Sequence, residues 1–303
     1  MTRWADARVV GLAPVLILVA CFACGPRPGA ADRSAGGTGG SETSETGQIT
    51  ASDTGSPFAC DGARWLNEGV VVDDATPPDS LRDIGGIRGN LEVVGSSVLE
   101  DLEFLSCLEV VVGNVAIVDN EALVSLHGLE QLRVVGGAVI PDGEFPPEDI
   151  ESNGGIAILN NAVLPGLEGL ESLERTRLSI AGNPSLASLE LPSVTSIGQL
   201  VLGECPDDAG VAGDNPALTG FGAFERLVEI RRLTVFNQTS LASLESLTAL
   251  AEQGVEFEDA VFAGNPQLEQ EEIDDFAAAA GIVVETCGNK DEEPCGTGFC
   301  FGE

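Results

Sequence analysis

A single histidine, His127, stands in the segment Ser125-Leu126-His127-Gly128-Leu129. Any mechanism that needs a histidine pair, a histidine-rich metal site or a Cys–His dyad rests on that one residue. The sequence holds no nucleophile elbow, no phosphate-cradling loop and no zincin helix. Carboxylates are plentiful, with 49 Asp and Glu against 14 Lys and Arg, so paired-carboxylate chemistry is what the composition leaves open. Two acidic stretches stand out. One carries Asp142, Glu144, Glu148, Asp149 and Glu151 with no basic residue, and the other carries Glu204, Asp207, Asp208 and Asp214. Calcium takes six to eight oxygens, but neither stretch has EF-hand spacing or the nonapeptide calcium repeat. Pro146-Pro147 and the scattered acids suit a solvated loop. Loops on a rigid scaffold are where binding residues gather, so Asp142 to Glu151 is the candidate binding loop. No metal or cofactor is expected.

The cysteines divide into two groups. Arg3 and Arg8 precede an apolar stretch from Val9 to Ala20, the charged head and short body of a secretory signal. That stretch falls short of the roughly 20 residues a spanning helix needs. Leu18-Val19-Ala20-Cys21 resembles the bacterial lipobox, which implies cleavage before Cys21 and lipid attachment to it. Cys24 is the alternative; cleavage there leaves six other cysteines, an even number, whereas cleavage at Cys21 leaves seven. Residues 25–57 run through Gly, Ser, Thr, Ala and Pro with hardly an apolar residue. Such a segment cannot offset its ordering entropy and serves as a tether with a reach of roughly 30 Å. Beyond it lie Cys60, Cys107, Cys205, Cys287, Cys295 and Cys300. Export makes disulfides their default state, with fifteen connectivities open. Zinc would need a tighter cluster, and only Cys287, Cys295 and Cys300 are close together.

The elements that must position these groups come from a repeat. An apolar pair at alternate positions is followed by Asn five residues after the first, then by Leu at three-residue steps. Leu178-Ser179-Ile180-Ala181-Gly182-Asn183 leads to Leu186 and Leu189. Val115 to Asn120 leads to Leu123, Leu126, Leu129 and Leu132, and Ile156 to Asn161 leads to Leu164, Leu167, Leu170 and Leu173. Weaker copies start at Leu91, Leu200, Leu233, Ala260 and Val284, with Ser96 and Gln238 in the Asn place of two of them. Successive starts are 24, 41, 22, 22, 33, 27 and 24 residues apart, a period of 22 to 24 with two insertions. Glu168 and Glu245 match His127 in this frame, which makes His127 an exposed loop residue.

Alternation puts two side chains on one face of a short strand. Asn, which tolerates left-handed backbone, suits the corner where the strand ends. Stacked copies can pass amide hydrogen bonds between repeats. No copy buries its leucines alone, so stacking builds the core. Leucine at three-residue steps is also half of a helical pattern, but Gly166 and Gly169 break it. One helix is expected over Gln267 to Ala280, acidic at its start with Ile273, Phe276 and Ala277 on one face.

Within this rhythm, Cys107-Leu108-Glu109-Val110-Val111-Val112-Gly113-Asn114-Val115-Ala116-Ile117 is similar to the first-rung signature of receptor L domains, relatives of leucine-rich repeats. Gly89-Asn90-Leu91-Glu92-Val93 repeats the Gly-Asn start. The whole chain resembles bacterial lipoproteins carrying such domains, of the kind abundant in myxobacteria. The resemblance spans about residues 58–289 and implies an all-β-dominated fold, a right-handed parallel β-helix or leucine-rich-repeat-like solenoid with a short C-terminal helix. It also implies a Cys60–Cys107 pair at the N-terminal end.

The expected organisation is a signal peptide over 1–20, a tether over 21–57, the repeat domain over 58–289 and a cysteine-containing tail over 290–303. With 43% hydrophobic residues, 12 Phe, 2 Trp and no Tyr, the core must be aliphatic. A formal charge of −35 repels phosphate backbones and anionic lipid. The expectation is a lipid-anchored cell-envelope protein, at the outer membrane or cell surface, touching membrane only through its lipid. Its repeat domain would be a non-catalytic binding or adhesion module for an extracellular protein or glycan, cationic where the attraction is electrostatic. A passive structural component and a polysaccharide hydrolase are the alternatives.

Overall fold

Strands this short gain little from pairing once; here every strand except the first two and the last is bonded on both sides. The structure is a computed structural model that describes Cys60 and residues 63–136, 154–204 and 213–295. Cys21, the loop residues Asp142, Glu144, Glu148, Asp149 and Glu151, and Cys205, Asp207, Asp208 and Cys300 lie outside the described residues. The strands are β1 (Arg64–Leu66), β2 (Val70–Val72), β3 (Ile84–Ile87), β4 (Leu91–Val94), β5 (Val110–Val111), β6 (Val115–Val118) and β7 (Val134–Val135). They continue as β8 (Ile156–Leu159), β9 (Arg175–Ala181), β10 (Ser196–Leu202), β11 (Glu229–Phe236), β12 (Glu256–Ala263) and β13 (Val284–Cys287). Among the described residues two α-helices interrupt the series, α1 (Glu245–Glu252) and α2 (Gln270–Ala280). Strands dominate, as the repeat predicts.

All thirteen strands belong to one sheet, and every pairing among the described residues is parallel. Two paths run through it. The first joins β1, β3, β5 and β7, and the second joins β2, β4, β6 and β8. They merge at β9, where Arg175 pairs with Val134 of the first path and Leu178 with Ile156 of the second. From there β9, β10, β11 and β12 are each long enough to serve both, and β13 continues the second path alone.

The second path carries the register read from the repeat. Leu91, Val115, Ile156, Leu178, Leu200, Leu233, Ala260 and Val284 are successive partners. Val70 precedes them as a further member that the template does not reveal. The leucines that follow each strand, such as Leu123, Leu126, Leu129 and Leu132, are fully buried. The core is the aliphatic one the composition requires.

Between strand and leucines runs a buried ladder of Ser96, Asn120, Asn161, Asn183, Asn215, Gln238, Asn265 and Asn289. Asn161 is typical. Its Oδ1 accepts from the Asn120 backbone N–H at 3.3 Å and from Nδ2 at 3.0 Å. Its own Nδ2 donates to Ile117 O, Leu159 O and Asn183 Oδ1 at 2.9, 3.1 and 3.1 Å. The ladder ends on carboxylates: Asp74 accepts from the Ser96 hydroxyl, and Glu292 accepts from Asn289 N and Nδ2 at 3.1 and 2.7 Å.

Three details correct the sequence reading. In seven of the eight repeats the left-handed residue at the corner is the one directly before the ladder residue, namely Gly95, Asp119, Asn160, Gly182, Asn237, Gly264 or Gly288. The reversal there aims the next amide inward. In the repeat starting at Leu200 the ladder place belongs to Asn215, because the second insertion enters between Gly203 and the ladder. Finally, α2 begins at Gln270 rather than Gln267, since Asn265 to Leu268 are held in the corner by the Leu268 N–H donating to Asn265 O. The helix α1 has no counterpart in the reading.

Disulfides join Cys60 to Cys107 and Cys287 to Cys295. The second encloses Asn289 and Glu292.

Candidate binding face

On the first path, inward residues such as Ile87, Val111 and Val135 are buried, and their neighbours face outward. Trp65, Gly86, Val110, Val134 and Arg175 are successive partners across five strands. The row continues through Ser196, Glu229 and Glu256. Trp65 is 42% exposed and its indole lies against the backbone of Gly86. A Cβ at Gly86 would stand 2.6 Å from ring atoms Cδ2 and Cε2, so only glycine accommodates the ring there. The Arg88 guanidinium sits 5.8 Å from the ring centroid, in cation–π range.

Basic residues cluster on this path. Arg64, Arg82, Arg88, Arg133, Arg175, Arg177, Arg226, Arg231 and Arg232 all lie on or within three residues of β1, β3, β7, β9 or β11. Several have acidic partners: Arg64–Asp83 at 2.9 Å, Arg82–Asp79 at 2.8 Å, Arg133–Glu174 at 2.6 Å, Arg231–Glu229 at 3.7 Å and Arg232–Asp259 at 3.3 Å. These exposed pairs orient side chains more than they stabilise the fold. Arg88, Arg177 and Arg226 form no ion pair among the described residues. Arg177 lies along Gly198, where a Cβ would be 3.4 Å from its Cγ, and heads a second row through Gln199, Arg232 and Asp259.

The structure places other groups in supporting roles. His127 is exposed and pairs with Glu130. Asp214 accepts from the Thr239 backbone N–H at 3.0 Å and from its hydroxyl, bridging neighbouring repeats. Hydrogen bonds from the hydroxyls of Ser96 and Ser97 hold the Asp74 carboxyl below its ordinary range. Bonding to Lys290 does the same for Glu269 and raises Lys290 in turn. The first insertion leaves from Gly136 and returns at Gly154, whose backbones touch: a Cβ on Gly154 would lie 2.4 Å from the Gly136 Cα. Among the described residues, no helix is long and apolar enough to cross a membrane.

Sequence reasoning missed this face. Charge was summed over the whole chain, where the arginines vanish beneath the acids. Their position relative to each repeat was the available signal, since they precede or occupy the first strand of a repeat. Compared with models of known families, with curated proteins and with solved structures, the chain matches none.

Proposed function

We propose that this chain is a lipid-anchored protein of the cell envelope whose folded part is a non-catalytic binding domain. One observation carries the reading. The inward rows repeat the same aliphatic and amide residues, while the outward row changes from Trp65 to Val110, Val134 and Arg175 along one continuous sheet. A constant frame with a varied face is how repeat proteins present binding surfaces. We read the frame itself as a right-handed β-helical solenoid of receptor L domain type. The 22-to-24-residue period, the parallel register and the Cys60–Cys107 pair support that reading. Right-handed crossovers are the rule for parallel strands.

Delivery rests on the lipobox and tether. The mature N-terminal peptide should begin at an acylated Cys21 in mass spectrometry; one beginning at acylated Cys24, or unmodified, overturns that assignment. For the domain, the purified protein is tested for retention by immobilised glycans, peptidoglycan and peptides, and for turnover of each and of simple esters. Saturable binding without turnover is expected. Turnover abolished by replacing one Asp or Glu would make it an enzyme.

A further inference from the structure

We propose that the outer face of the first strand path binds an acidic glycan, a chain of pyranose rings carrying carboxylates, with Trp65 as stacking platform and Arg88 and Arg177 as carboxylate contacts. The proposal rests on the binding-domain reading and names its ligand class.

Trp65 is the starting point. A tryptophan recruited for packing turns its ring into the core, but this one lies against a buried glycine, remains 42% exposed and has the Arg88 guanidinium 5.8 Å from its centroid. An exposed indole face suits the C–H face of a pyranose ring, apolar and polarised positive toward the π cloud. Val110 and Val134 extend the floor on the next strands. Neighbouring strands are about 4.8 Å apart, close to the length of one pyranose unit in an extended chain. Successive rings therefore meet successive strands.

Charge selects the acidic member of that class. The chain has 49 acidic residues to pair with 14 basic ones, yet Arg88 and Arg177 form no ion pair among the described residues. They stand beside β3 and on β9, three strand steps apart along the path, or about 14 Å. A guanidinium meets a carboxylate through two parallel hydrogen bonds, so carboxylates on non-adjacent rings reach both arginines. The summed charge pointed to a cationic partner; at this face Arg88 and Arg177, without an ion pair among the described residues, offer a local exception. Long-range repulsion from the rest of the molecule still penalises long polyanions, which favours short chains.

The test is isothermal titration of the purified full chain with tetragalacturonate at about 0.15 M salt, where screening acts beyond about 8 Å. Saturable binding is expected, weakened about tenfold or more by Arg88→Gln and by Arg177→Gln, the scale of losing one charge-assisted contact. Trp65→Ala should weaken it similarly, and the fully methyl-esterified tetramer should bind far less tightly. Both arginine variants change exposed or half-buried side chains, and an unaltered melting curve shows that each still folds. No saturable binding, binding unchanged in the double arginine variant, equal binding of the methyl ester, or equal binding of tetraglutamate overturns the proposal. None of these touches the binding-domain reading, which falls instead if new reducing ends accumulate with the tetramer.

Discussion

Asn161 shows what a ladder residue does: one side chain fills an acceptor role toward the repeat before it and a donor role toward the repeat after it. Removing it strands buried partners that have no water to turn to, and each costs about 1–3 kcal/mol. Asn161→Ala should lower unfolding stability by about 2–4 kcal/mol, whereas Ser185→Ala, half-buried on the next repeat with a single hydroxyl bond to Ala162 O, should change it by no more than about 1 kcal/mol. Denaturant titration measures both, and equal losses would deny the ladder its role. Asp74 at the ladder's first end adds a pH dependence. Its folded pKa lies below its unfolded one because Ser96 and then Ser97 donate to it. Its contribution is therefore complete above the ordinary carboxylate range and is lost as pH falls through the depressed value. The stability of Asp74→Asn should converge on that of the natural protein as pH is lowered, and a gap constant with pH would refute this.

The helix α2 covers the core where the strand series ends. Phe276 is fully buried and meets Phe257 and Phe262 edge-on, with centroids 5.0 and 5.8 Å away. Phe276→Ala should cost about 3–5 kcal/mol, read as a fall in the unfolding midpoint. At the other end Cys60–Cys107 closes a separation of 47 residues, a constraint on the unfolded chain worth about 4 kcal/mol in the entropic account. The ends of a repeat array lack a neighbour on one side, and α2 and both disulfides among the described residues sit there.

At the scale of the molecule, ladder and strands bond each repeat to both neighbours, so what interrupts a repeat without separating its strands should be tolerated. The backbones of Gly136 and Gly154 touch. Replacing residues 137–153 by a two-residue turn should leave the melting temperature within a few degrees, consistent with the modest cost of loop length. A large fall in circular dichroism melts would show that the insertion is part of the frame. The net charge of −35 acts everywhere at once. Self-repulsion is screened by salt, so the melting temperature should rise between low ionic strength and about 0.15 M. A fall would mean that the arginine pairs outweigh the repulsion.

The sequence by itself determined the strands and their register. Side chains on one face recur every second residue, stacking demands that equivalent positions align, and all eight template starts fall in one row of the sheet. Ser96 and Gln238 were legible as stand-ins for Asn because position in the repeat, not residue type, defines the ladder. The left-handed corner was blurred, since Asn and Gly satisfy both the reversal and its neighbourhood, and only backbone geometry separates Asn160 from Asn161. Asn215 was hidden because an insertion moves it ten residues off the period. The candidate face needed the tertiary structure most. Trp65, Val110, Val134 and Arg175 are far apart along the chain and, though they stand at the repeat spacing, share no common residue type, since outward positions are free to vary. Parallel pairing alone sets them side by side.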